Sequence, residues 1–104
     1  MPVAEINALR DRFVEQLAPL RIYLFGSYAE GTNTEESDFD FYIVVDDSKE
    51  NLYDLTRKAY RAIRHVGTRP VDIVIGTNSR FENRKQRSTI ESEVFQKGRL
   101  LYEC

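Results

Sequence analysis

Two carboxylates one residue apart, Asp38 and Asp40, stand at the head of the apolar run 39–45 (FDFYIVV), and no other feature narrows the possible folds so far. The run is rich in aromatic and β-branched residues, which favours a strand. On a strand the side chains alternate between faces, so Asp38 and Asp40 point the same way with Cα atoms about 6.5–7 Å apart. Both carboxylates can then reach one pair of cations. Metal pairs that clamp an in-line phosphoryl displacement sit roughly 3.5–4 Å apart. Mg²⁺ suits such a site because it takes hard oxygen ligands, supplemented by water and substrate phosphates.

The segment upstream supplies a complementary feature. Residues 21–25 (RIYLF) read as a buried strand running into Gly26 and Ser27. A glycine there lets the backbone turn tightly and approach a ligand. Ser27 suits the cap of a single helical turn, Tyr28-Ala29-Glu30, ending at Gly31. The N–H groups and dipole of that turn favour a phosphate, with the Ser27 hydroxyl as a further donor. Tyr28, beside the turn, is the candidate ring for contact with a nucleotide, whereas Tyr23, Tyr42, Tyr53, Tyr60 and Tyr102 are expected to pack on or near the core. Taken singly, a Gly-Ser after a strand is usually a turn and an Asp-x-Asp a solvated cap. Their occurrence together, in this order and between strands, points to phosphate and metal.

A third carboxylate extends the pattern. Residues 71–75 (VDIVI), opened by Arg69-Pro70 and closed by Gly76, read as another strand with a lone Asp72 among β-branched residues. Unpaired inside an apolar strand, such a group costs several kcal/mol or is driven to protonate, so it needs a cation, a donor network or a sheet end facing solvent. If this strand lies beside the first, Asp72 becomes a third ligand and can orient or deprotonate an attacking hydroxyl. The competing reading is a salt bridge to a nearby arginine.

The stretch 24–45 (LFGSYAEGTNTEESDFDFYIVV), followed by 71–76 (VDIVIG), resembles the DNA polymerase β-type nucleotidyltransferase superfamily, whose fingerprint is Gly-Ser, a spacer, Asp-x-Asp and a later single Asp. Within it the chain resembles the minimal nucleotidyltransferases that pair with HEPN-domain partners in toxin–antitoxin modules. The resemblance implies an α/β (α+β), polymerase β-like fold: a small mixed sheet of three to four strands flanked by helices. It implies Gly26 and Ser27 as the phosphate-binding turn, Asp38 and Asp40 as ligands of two Mg²⁺ ions, and Asp72 as the third carboxylate. It further implies ATP as substrate and transfer of AMP to a hydroxyl, a tyrosine of a HEPN toxin, so that the chain acts as an antitoxin. One position departs from the pattern: many relatives carry a basic residue in the turn after Gly-Ser, where this chain has Glu30. The alternatives are an antitoxin that neutralises its partner by binding alone and a small-molecule nucleotidyltransferase.

Length and composition bound what surrounds the site. A chain of 104 residues is expected to form one domain, 1–104, with no room for an acceptor-recognition domain, so specificity is expected to lie in a partner within a homo- or hetero-oligomer. The lone Cys104 excludes an internal disulfide and suits a reducing cytoplasm. No run approaches the ~18 apolar residues of a membrane span, and no signal-peptide pattern opens the chain. His65 has no Cys, Ser or second His to work with, and helix-end electrostatics suit it better than catalysis. The net charge of −2 is unevenly spread: acids dominate residues 30–50, while Arg57, Lys58, Arg61, Arg64 and Arg69, then Arg80, Arg84, Lys85 and Arg87, make later segments basic. The bases of residues 51–66 fall opposite a stripe of Leu52, Leu55, Ala59, Ile63 and Val66, as on a solvated helix face. The other reading is docking to an acidic partner or nucleic acid, and no nucleic-acid reading motif is present.

The remaining elements follow from periodicity and punctuation. Residues 3–18 form an amphipathic helix with Ile6, Leu9, Phe13 and Leu17 on one side, ended by Pro19. A strand over 20–25 and a polar loop over 32–37 lead into the strand 38–45. Asp46-Asp47-Ser48 turns the chain, with Ser48 capping a long helix to Val66, and Gly67-Thr68 links to the strand 71–75. A helix starting at Ser79 runs unevenly to Gly98, and Leu100-Leu101-Tyr102 form an edge strand or a docking contact.

Overall fold

The computed structural model describes residues 2–49 and 51–104; Glu50, the last acid of the run 30–50, lies outside them. In chain order the elements are α1 (Val3–Leu17), β1 (Arg21–Phe25), α2 (Ser27–Glu30), β2 (Phe39–Val45), α3 (Leu52–Ala62), β3 (Val71–Thr77), α4 (Asn78–Arg84), α5 (Ile90–Lys97) and β4 (Arg99–Glu103). The strands form one mixed sheet in the order β3-β2-β1-β4. β1 is antiparallel to β2 and to β4, and β2 and β3 are parallel. This is the mixed sheet flanked by helices that the family resemblance implied.

The unbroken apolar character of β2 follows from its interior position, where both faces are covered. Phe39, Phe41, Ile43 and Val45 join Ile22, Leu24 and Ile73 in a core closed by α1 and α3. Phe13 of α1 meets the Phe41 ring edge-on at 5.2 Å, an arrangement that the ring quadrupoles favour. On the opposite face Tyr42 and Val44 join Tyr23 and Phe25 against Phe81 of α4 and Val94 of α5. Asp40 belongs to that second face, at its open end. The apolar stripes of the two long helices are buried as their periodicity required: Ile6, Leu9, Phe13 and Leu17 on α1, and Ala59 on α3 with Ile63 just beyond it.

Several boundaries differ from the sequence expectation. α3 is capped by Asn51, whose side chain accepts the Asp54 N–H at 3.1 Å. Ser48 instead donates its backbone N–H to the Asp46 carboxylate at 2.8 Å, so that Asp46 organises a turn there. The helix stops at Ala62 rather than Val66, and the chain then reverses through His65 and Gly67, both at positive φ (67° and 75°). β3 passes through Gly76 to Thr77, because Gly76 lies against Tyr42: a Cβ there would strike the phenol hydroxyl. The expected helix from Ser79 to Gly98 is two helices with separate threonine caps. Thr77 accepts the Arg80 N–H at 3.3 Å and Thr89 the Ser92 N–H at 3.2 Å. Leu100, Leu101 and Tyr102 lie in β4, beside β1. Among the described residues no helix is long and apolar enough to cross a membrane.

Candidate active site

The parallel ladder brings the separated carboxylates together. Its register sets Asp40 opposite Asp72, while the antiparallel ladder sets Asp40 opposite Phe25, the last residue of β1. Gly26 therefore arrives beside the Asp40 carboxylate, and a Cβ on Gly26 would collide with Asp40 Oδ2. Its backbone, at φ 75° and ψ −154°, lies in a region open essentially to glycine alone. Two demands thus fix Gly26: the turn out of β1 and the space occupied by a carboxylate.

Ser27 opens α2, a single turn closed by Gly31 at φ 77°. Thr32 donates its N–H back to the Ser27 carbonyl at 3.0 Å. The part-exposed Ser27 hydroxyl has no protein partner among the described residues. Glu30, the departure noted in the sequence, faces Lys97 of α5 with 3.9 Å between their charged atoms. Asp38 is half-buried one residue before β2, and Asp72 is exposed on the edge strand β3. Among the described residues no arginine or lysine forms an ion pair with Asp72, so its place at a solvent-facing sheet edge, rather than a salt bridge, accounts for it.

Electrostatically the group is strained toward cation binding. Burial first, then the negative charges of Asp72 and Asp38, a hydrogen bond to Asp72 and the charge of Glu93 on α5, together push the Asp40 carboxyl up to about 6. Like-charged carboxylates around one point raise each other's proton affinity, and a divalent cation relieves the same repulsion. Among the described residues no three Asp, Glu, His or Cys side chains are already closed around a common point. The donor chemistry nevertheless fits Mg²⁺: hard oxygens on adjacent strands, open on the solvent side for water and phosphate.

Tyr28 is placed differently from its sequence reading. Its ring is buried, 2% exposed, and packs on Phe39 with ring centroids 4.7 Å apart. The ring lies inward because α2 turns its apolar side, with Ala29, toward the core.

The sequence reading also missed a polar cluster behind the site. Glu91 of α5 is completely buried. It accepts the Tyr42 hydroxyl at 2.7 Å and pairs with Arg84 at 3.0 Å and Arg80 at 3.4 Å. Burial pushes the Glu91 carboxyl up, but these hydrogen bonds win and hold it below its ordinary value. Burial and the neighbouring carboxylate raise the Tyr42 phenol, which stays protonated as a donor. Tyr42 lies two residues beyond Asp40 on the same face, so the cluster fixes the floor of the site. A signal existed: Glu91 falls three residues before the buried Val94, on the stripe where helical spacing calls for an apolar side chain. Arg80 and Arg84, read as part of a basic surface, are its counter-ions.

Comparisons with known proteins place the chain in a family. Residues 6–98 match the family model described as Nucleotidyltransferase domain. A protein of Methanocaldococcus jannaschii bearing the name "putative protein adenylyltransferase" is 33% identical over 97 residues, covering 93% of this chain and 90% of its own. Among solved structures, a toxin–antitoxin with AMP-PNP superposes with a TM-score of 0.58 at 25% identity, covering 94% of this chain and 73% of that one. A protein of Sulfolobus solfataricus bearing the name "putative nucleotidyltransferase" shares the fold with a TM-score of 0.67 at 19% identity, over 96% of this chain and 78% of that one. With a family match that runs over residues 6–98 and a relative one-third identical over nearly the whole of both chains, this chain belongs to the nucleotidyltransferase domain family and is an enzyme.

Proposed function

We propose that the protein is a Mg²⁺-dependent adenylyltransferase that moves AMP from ATP onto a tyrosine hydroxyl of a HEPN-domain toxin, and so acts as its antitoxin. The observation that carries this reading is the opposition of Asp40 and Asp72 across the parallel ladder, with Gly26 against the same carboxylate. The relative named as a protein adenylyltransferase and the toxin–antitoxin structure with AMP-PNP support the choice of nucleotide and of a protein acceptor.

In this reading Asp38 and Asp40, with Asp72, hold the metal, and the Gly26-Ser27 turn directs its backbone N–H groups and the Ser27 hydroxyl at the triphosphate. Bound Mg²⁺ supplies neutralisation of the phosphate charge and of the leaving oxygen. Asp72, the most exposed of the three carboxylates, orients the acceptor hydroxyl and takes its proton. The acceptor oxygen bonds to the α-phosphorus, the bond from that phosphorus to the bridging oxygen breaks, and pyrophosphate leaves. The floor made by Tyr42 and Glu91 holds β2 and α5 in place while this occurs.

The test uses the chain with a HEPN-domain protein as the partner, ATP and Mg²⁺, followed by intact-mass spectrometry of that partner. An AMP-sized gain is expected with wild type and none with Asp38→Asn or Asp40→Asn. No gain with wild type, together with suppression of toxicity in cells by both variants, would establish neutralisation by binding alone.

A further inference from the structure

The loop that delivers Asp38 is the least anchored part of the site. Residues 31–36 are exposed and belong to no helix or strand. Internally the loop is tied by short-range bonds: Thr34 N–H to Ser37 Oγ at 2.8 Å and Ser37 N–H to the Thr34 carbonyl at 3.2 Å. From elsewhere in the fold Arg69 bonds to it: its Nη1 donates to the Glu35 carbonyl at 2.7 Å.

The same guanidinium lies over the Tyr28 ring, 5.6 Å from its centroid. That is within the range where a cation is attracted to a ring face. Tyr28 belongs to α2, the turn that follows Gly26. Arg69 is itself held from behind. Glu5 Oε2 accepts the N–H groups of Thr68 at 2.9 Å and Arg69 at 3.3 Å. Gly67, at φ 75°, leaves room for that carboxylate, which a Cβ would displace. The next residue, Pro70, accepts the Phe39 N–H at 3.1 Å, so the base of the arginine is joined to the start of β2. Asp72 lies three residues beyond Arg69.

We propose that Arg69 is the positioning residue that sets the three parts of the site against one another. Its ring contact fixes the Gly26-Ser27 turn, its bond to Glu35 fixes the loop ending in Asp38, and its own backbone leads into the strand carrying Asp72. Arginine suits the task because a planar guanidinium can lay one face on a ring while an edge N–H reaches a carbonyl. A lysine ammonium has no such planar fork. The inference rests on the transferase reading above, and its test separates the two.

The experiment compares wild type with Arg69→Ala, Arg69→Lys and Tyr28→Phe by backbone NMR relaxation, thermal unfolding and transfer kinetics. In Arg69→Ala the order parameters of residues 31–38 are expected to fall from the rigid value of about 0.85 to below about 0.6, with β2 and α1 unchanged. Its kcat for AMP transfer is expected to drop about 10- to 100-fold, the scale of a misplaced reacting group. KM for ATP changes less than threefold. Arg69→Lys recovers only part of the loop order and rate, and covers the case in which the alanine variant fails to fold. Tyr28→Phe keeps the ring under the guanidinium, and the order of residues 31–38 is expected to be retained in it. Unchanged order in residues 31–38 in both Arg69 variants overturns the proposal. So does a rate loss that follows the loss of Tm equally in variants elsewhere in the core. If wild type transfers no AMP, the transferase reading fails, while the relaxation data still decide whether Arg69 organises the loop.

Discussion

Single residues of the site are legible where chemistry forbids an alternative. Asp40 shows why: its carboxyl rises from the usual 3.8 to about 6 chiefly through burial and the charge of Asp72. The folded chain then holds this proton to a higher pH than the unfolded chain. Stability tied to Asp40 is therefore complete below about pH 4 and is lost as pH rises through about 6. Asp40→Asn should raise the stability of the metal-free protein at pH 7.5, by on the order of 1 kcal/mol because solvent screens a part-exposed group. It should raise it far less at pH 4. Urea denaturation at the two pH values checks this, and equal gains at both would remove the electrostatic explanation. Gly26→Ala is the opposite case: the added Cβ meets Asp40 and the backbone lies outside the range of other residues. It should cost about 2 kcal/mol or more and abolish nucleotide transfer, as measured by denaturation and by mass spectrometry of the acceptor. The sequence exposed these residues because aspartates and glycines in strand contexts need a reason. It concealed the role of Tyr28, since a ring next to a turn has the same identity whether it faces a ligand or the core.

At the scale of elements, strands and amphipathic helices were recoverable from period and composition, while their ends were decided by contacts across the sheet. Gly76 appeared to close a strand, yet it continues one, because the phenol of Tyr42 on the neighbouring strand fills the space a side chain would take. Nothing near position 76 in the chain encodes that. The split between α4 and α5 was closer to legible: Thr77 and Thr89 each stand where a cap belongs, but the intervening polar residues suit a helix equally well. Gly76→Ala should push the Tyr42 ring off Glu91 and leave a buried carboxylate short of one donor. An unsatisfied buried group costs about 1–3 kcal/mol, so a Tm loss of several degrees is expected. Tyr42→Phe should show a smaller loss and should make the Gly76→Ala penalty largely disappear in a double-mutant cycle. Additive losses would show that the glycine matters for another reason.

For the whole molecule, the sheet is closed by helices on both faces, and the carboxylates occupy the uncovered end of one face. Binding there should stabilise the fold by mass action. With ATP and Mg²⁺ at about one hundred times the dissociation constant, the gain is about 2.7 kcal/mol. Differential scanning calorimetry should register it in wild type and lose it in Asp38→Asn. Ca²⁺ in place of Mg²⁺ should retain part of the shift. The global arrangement was foreseeable from the resemblance, because the order of Gly-Ser, Asp-x-Asp and single Asp fixes which strands must be neighbours. The buried Glu91 cluster was not, since Glu91 lies on α5 while its three partners come from β2 and α4, and they meet only when the second face is packed.

The parallel pairing of β2 with β3 has a consequence for how the protein matures. Asp40 and Asp72 meet only after the intervening α3 has crossed the sheet, a non-local closure of the kind that slows folding. A growing or partly unfolded chain holds the glycine turn and the Asp-x-Asp pair without the opposing carboxylate. In the proposed mechanism, which needs all three carboxylates, catalytic competence is therefore an all-or-none report on the completed sheet, and a chain still emerging from the ribosome would spend no nucleotide before its fold is finished.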